Sequence, residues 1–119
     1  MPSPEAHRTR ALRDAGLAEG LAREAPEWAA VLLAHATHHL LLGWTFARAG
    51  EDPFPESYEA AYRRMKQAGV PRRARKIHRE LTRLAWKARY LCPSEEEAKA
   101  LHQQAQALWE ELLGVLPPP

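Results

Sequence analysis

Cysteine is nearly missing from this chain of 119 residues. Cys92 stands alone, so no disulfide can form within it, which fits a reducing compartment. Asn is absent and Ile occurs once, while Ala, Leu, Glu and Arg dominate; helix formers outnumber strand formers, and no strand-like alternation appears. No apolar run approaches the roughly 18 residues of a membrane span. The start, MPSPEAHRTR, carries charges with no apolar stretch behind them, so no signal peptide and a cytoplasmic location are expected. A formal net charge of +2 is too small to imply a nucleic-acid partner by itself. The lack of Asn, the excess of Arg over Lys and the ten prolines point to a thermophile.

What is present reads as helices. Ser3-Pro4-Glu5 is a helix start, with a cap, a proline at the first position and an acid in the first turn. The helix it opens carries Leu12, Leu17 and Leu21 but also Gly16 and Gly20, at about 1 kcal/mol each against Ala, and is expected to be short, bent or frayed. A second helix runs from Pro26 to Ala49 and stops at Gly50, a left-handed cap. Trp28, Leu32, His35, His39, Leu42 and Phe46 follow one another at spacings of four and three, and Leu33, Leu40 and Trp44 widen the apolar face. This most hydrophobic helix is expected at the centre. The turn EDPFP leads to a third helix over 56–68 with Tyr58, Ala61, Tyr62 and Met65 on one face. A fourth, over 71–90, has an apolar seam of Ile77, Leu81, Leu84, Ala88 and Leu91. Ser94 with Glu97 forms a capping box for a fifth, whose seam is Ala98, Leu101, Ala105, Leu108 and Leu112. The expected fold is an all-α, antiparallel up-and-down bundle of about five helices. It forms one domain over 1–119 with short tails at 1–3 and 114–119.

Two clusters carry candidate chemistry. The fourth segment holds eight cations against one acid, Glu80, and the helix after it is net negative, so the two are expected to pair. Arg72, Arg75, Lys76, Arg79 and Arg83 are candidate phosphate contacts, and Trp86 among them offers a ring on which a base can stack. Packing in the core or an interface accounts for the four tryptophans more simply. Arg73 and His78 form an R-x4-H pattern. A histidine can move a proton at a ribose hydroxyl while a guanidinium binds phosphate, which is metal-free RNA cleavage. Five residues turn an unbroken helix by about 140°, so the pair needs a break or a second copy of the chain. His35 and His39 share a helix face at i, i+4, a spacing that chelates Zn²⁺, Ni²⁺ or Fe when other helices add ligands; partly buried, hydrogen-bonded imidazoles are the plainer alternative.

The run from 81 to 116 resembles the C-terminal half of HEPN domains. It shows a helix ending Ala88-Arg89-Tyr90, a break at Pro93-Ser94, and Glu96-Glu97-Ala98 opening the last helix. The segment AAVLLAHATHHLLLGWTFARAG is similar in placement to that family's long second helix. The resemblance implies a small helical homodimer with a basic groove, no cofactor, and work with RNA or with a nucleotidyltransferase-type partner. It also implies a metal-independent ribonuclease at Arg73 and His78. A second class of reading is a non-catalytic interaction module: Gly43, Gly50 and Ala60 resemble one tetratricopeptide unit, an architecture that needs three or more repeats. A metal-binding helical bundle built on His35 and His39 is the third.

Overall fold

The computed structural model describes residues 3–51 and 57–119, and its helix ends follow from short-range chemistry. The helices are α1 (Pro4–Leu21), α2 (Pro26–Ala49), α3 (Tyr58–Gln67), α4 (Arg72–Tyr90) and α5 (Glu95–Val115), with no strand among the described residues. They form the expected all-α antiparallel bundle. The Ser3 hydroxyl accepts from the Ala6 amide at 3.0 Å. Gly50 closes α2 at φ 79°, donating its amide to the Phe46 carbonyl. Ser94 and Glu97 make the reciprocal capping box. The third helix begins at Tyr58, capped by Ser57 rather than at 56. Residue 56 and most of the EDPFP turn lie outside the described residues.

Helix α2 is central and packs against all four others. Its buried side includes Ala29, Ala30, Leu33, Ala36, Thr37, Leu41, Leu42 and Trp44. Of the expected apolar face, Leu33, Leu42 and Trp44 are in the core and Leu32 packs against it, while Trp28, His35 and His39 lie to one side. Trp28 is half exposed, and the two histidines lie along the seam with α1. Alanines, weak in any hydrophobic periodicity, line the close contacts instead. Leu33 and Leu41 meet Met65 of α3, Ile77 and Leu81 of α4 and Leu112 of α5 in one apolar cluster. Each large side chain removed from water there contributes about 1.5–3 kcal/mol.

The first helix is neither short nor frayed. It is an unbroken 18-residue helix, and its pairing with α2 is the most extensive in the molecule. Gly43 makes this possible: a Cβ there would stand 2.9 Å from the Pro4 carbonyl oxygen and 2.9 Å from the His7 Cβ. The inward residues of α1 are His7, Ala11, Asp14 and Ala18, while Leu12 and Leu17 are half exposed. Polar side chains thus join Ala11 and Ala18 in holding α1 to α2, while Leu12 and Leu17 face outward and Leu21 packs against the core.

Candidate functional site

Three helices bring five of the six histidines together. Helix α2 supplies His35, His38 and His39, α1 adds His7, and α4 adds His78. The His38 Nδ1 lies 3.0 Å from the His78 Nε2, and the His39 Nδ1 lies 3.2 Å from the His7 Nδ1. In each pair one nitrogen donates and the other accepts. The His35 Nδ1 donates to Asp14 at 2.8 Å, and the same buried carboxylate accepts from Arg10 at 3.2 Å. The His35 and His39 rings meet edge to face with centroids 4.7 Å apart. Tyr58 of α3 closes the far side, 5.1 Å from the His38 ring and 6.1 Å from the His78 ring.

Burial keeps His38, His39 and His78 of this cluster neutral. It lowers His38 to about 3, helped by the neighbouring imidazoles, His78 first. It lowers His78 to about 4, with the Arg79 cation adding to the effect. His39 falls to about 4 through burial, His35 and His7. Desolvation disfavours the charged imidazolium, and like charges nearby oppose it further. A neutral imidazole both donates and accepts, which is what two facing rings require.

The R-x4-H pair is not brought together. The Arg73 guanidinium grips Glu111 of α5 through two nitrogens, one at 2.6 Å, and reaches Glu80 at 3.5 Å. The contact lowers Glu111 and raises Arg73. His78 instead faces His38 of α2. The helix is continuous between them, so the rotation set by their spacing separates them. The expected electrostatic pairing of α4 with α5 reduces to this one bridge among the described residues.

The remaining cations are sorted by helix geometry. Arg75 is half-buried and donates to the Val70 carbonyl at 3.2 Å, and its guanidinium lies 5.5 Å from the Tyr62 ring. Arg79 lies 4.2 Å over the same ring. Arg72, Lys76, Arg79, Arg83, Trp86 and Tyr90 are all exposed. At 100° per residue they fall within an arc of about 80°, opposite the buried seam. Trp86 and Tyr90 touch, with ring centroids 5.6 Å apart. Among the described residues Arg72, Lys76 and Arg83 form no ion pair. Trp44 and Trp109 are buried, so the tryptophans divide evenly between core and surface.

Beside this stripe a groove of about 470 Å³ opens between α3 and α4, lined by Tyr58, Tyr62, Arg63, His78 and Arg79 with Glu59 and Thr82. A second hollow, of about 440 Å³, lies where the C-terminal prolines meet Leu40, Gly43 and Trp44; apart from Glu5 and Arg8 its lining is uncharged.

No group of three or more His, Cys, Asp or Glu side chains is placed to hold a metal ion among the described residues. His35 and His39 do come together, but their Nδ1 atoms serve Asp14 and His7. His7 and Asp14 are the members the sequence reading missed. The available signal is the spacing of four, three and four from His7 through Ala11 and Asp14 to Ala18, masked by the more conspicuous leucines. No family model, no curated protein and no solved structure matches this chain. No helix is long and apolar enough to cross a membrane among the described residues.

Proposed function

We propose that this protein is a HEPN-like helical module that binds single-stranded RNA along the outer face of α4. The observation that carries the reading is the exposed run Arg72, Lys76, Arg79 and Arg83 leading into the Trp86–Tyr90 ring pair. A strand bound there would meet cations for its phosphates and then aromatic faces for its bases, the combination used for single strands. The face spans about 27 Å of helix at 1.5 Å per residue. The first turn of α4 supports the same reading. It has no acid and carries Arg72, Arg73 and Arg75, whereas a helix start is stabilised by negative charge. A phosphate supplies that charge.

The reading is one of binding rather than cleavage. His78 is buried against His38 and Arg73 is committed to Glu111, so the two do not share a substrate. A cytoplasmic homodimer working beside a nucleotidyltransferase-type protein is the setting that the HEPN resemblance supports. The exposed cluster Trp86, Tyr90 and Leu91 favours one other reading, a docking surface for a protein partner.

The test is fluorescence anisotropy with labelled 12-nucleotide RNA between 50 and 200 mM salt. Four phosphate contacts predict a log–log slope of about −3, at about −0.7 per contact for single strands. Reversing Lys76→Glu and Arg83→Glu together is expected to abolish binding with the helical circular dichroism intact. Absence of binding by the wild type at 50 mM salt would sink the RNA reading and leave the protein-docking one.

A further inference from the structure

The groove between α3 and α4 has chemistry that a purely electrostatic RNA surface does not need. We propose that it is a subsite for one unstacked nucleotide, whose base lies on Tyr58 and whose phosphate is held by Arg63 and Arg79. This inference rests on the RNA-binding reading of α4 and makes its ligand more specific: a single strand able to turn one nucleotide out, not a duplex.

Three observations carry it. First, the groove adjoins the stripe, because Arg79 belongs to both. Its guanidinium carbon lies 4.2 Å over the Tyr62 ring, a contact that holds the side chain, and it meets no carboxylate among the described residues. The charge therefore stays available for an anion while the side chain is ordered in advance. Second, Tyr58 is more than half exposed while the His38 and His78 rings pack against it at 5.1 and 6.1 Å, tilted by 58° and 49°. A ring held by its neighbours yet largely open to solvent offers a surface on which a base can stack. Third, His78 lines the groove while being 3% exposed. It sits among the inward residues Ala74, Ile77, Leu81 and Leu84 of α4, where an apolar side chain would serve packing better. Its Nε2 is fixed by the His38 Nδ1 and its carbonyl accepts from the Thr82 hydroxyl at 2.8 Å. The ring is thus a neutral, oriented polar group at the floor.

The volume of about 470 Å³ lies within the range of small-ligand sites, about 300–1,000 Å³. Two cations with the exposed Tyr58 ring match a phosphate joined to a base, and single-stranded RNA is read by stacking unpaired bases on such rings. Glu59 is the one acid of the lining. A phosphate would avoid it, but the amino group of adenine or cytosine can donate to it.

The experiment compares a 12-nucleotide oligoadenylate with a 12-base-pair RNA duplex, using wild type, Tyr58→Leu, Tyr58→Phe and the stripe variant Lys76→Glu/Arg83→Glu. Stacking losses of about tenfold are typical. Tyr58→Leu is expected to weaken the single strand by that factor and leave the duplex and the salt slope unchanged. Tyr58→Phe is expected to bind like wild type. In parallel, millimolar AMP is titrated into wild-type and stripe-variant protein, and the ring signals of His78 and Tyr58 are followed by NMR. Saturable shifts in both proteins are expected, since the groove does not need the stripe for a free mononucleotide. RNA binding that survives Tyr58→Leu at full strength, or falls equally for duplex and single strand, overturns the groove and leaves the stripe standing. AMP shifts without any RNA binding support the groove and count against the stripe. No AMP shift in either protein overturns the groove outright.

Discussion

The His38 Nδ1 and the His78 Nε2 face each other at 3.0 Å across the junction of α2 and α4. Only one proton fits between them. The pair is at home when both rings are neutral, and burial holds them so, with His38 at about 3 and His78 at about 4. In the unfolded chain both return to about 6.5. Their folded pKa values are depressed, so above 6.5 neither state binds these protons and the full stability is present. Between 6.5 and about 4 the unfolded chain takes up protons that the folded one refuses, and stability falls as the pH falls. The expected slope is on the order of 1 kcal/mol per pH unit for each of the two rings. Urea denaturation midpoints between pH 7.5 and 4.5 measure it. The double change His38→Leu/His78→Leu is expected to make the curve shallower, with His39, also lowered to about 4, supplying part of the slope that remains. A slope unchanged by it would remove the pair as a cause.

The polar seating of α1 makes a prediction about which of its residues matter. Asp14 is 3% exposed and accepts from both Arg10 and His35. Replacing Asp14 by Ala removes both bonds, and because the two donors are half exposed and can turn to water the cost should be about 0.5–1.5 kcal/mol. Leu12→Ser and Leu17→Ser change half-exposed leucines and should stay within about 0.5 kcal/mol. Chemical denaturation of the three variants checks the order. A leucine change costing more than Asp14→Ala would mean that α1 is held by its apolar side after all.

The sequence made the helices legible because their signals are local. Ser3-Pro4, Pro26, Gly50 and Ser94 with Glu97 act within one turn and owe nothing to distant residues. The seams of α4 and α5 were legible too, since those helices are apolar on one side only, except for Leu91, which lies just past the end of α4 and is exposed. On α2 the pattern found part of the face, Leu33, Leu42 and Trp44, and missed the rest. Leucines and tryptophans surround that helix, so the buried side is decided by which neighbours arrive, and small residues such as Ala29, Ala36 and Gly43 mark it. The histidine cluster was half legible. The spacing of His35, His38 and His39 drew attention to α2, but nothing local says that His7 and His78 meet them, because those contacts join positions 32 and 40 residues apart. The groove rests on the same kind of long-range meeting, between Tyr58 and His78.

Glycines of the same chain are expected to respond with opposite signs. A Cβ on Gly43 meets the Pro4 backbone oxygen at 2.9 Å, and backbone cannot swing aside. Gly43→Ala must push α1 away from α2, at a cost of about 1–3 kcal/mol, and should loosen the His7–His39 contact. Gly16 and Gly20 lie in α1 with open space around them. Alanine there should stabilise the protein by about 0.5–1 kcal/mol each, through helix propensity and a less flexible unfolded chain. Thermal unfolding of the three variants decides this. A stabilising Gly43→Ala would show that the close approach of α1 is not required.

Arg73 and Arg79 separate the reading from sequence pattern from the reading of the structure. The R-x4-H pattern gives Arg73 the phosphate. In the fold Arg73 is already gripped by Glu111 and touched by Glu80, so its charge is largely answered within the protein. Arg79 lies over Tyr62, borders both stripe and groove, and meets no carboxylate among the described residues. Arg79→Ala is therefore expected to weaken RNA binding several-fold and to make the salt slope shallower by about 0.7, the share of one phosphate contact. Arg73→Ala is expected to change neither affinity nor slope measurably. Glu111→Gln provides the converse. It releases the Arg73 guanidinium without altering its position on α4, and RNA affinity should rise, with a steeper salt slope. The three variants measured side by side rank the two arginines. A larger loss from Arg73→Ala than from Arg79→Ala would return the phosphate to the α5 side of the helix and count against the stripe.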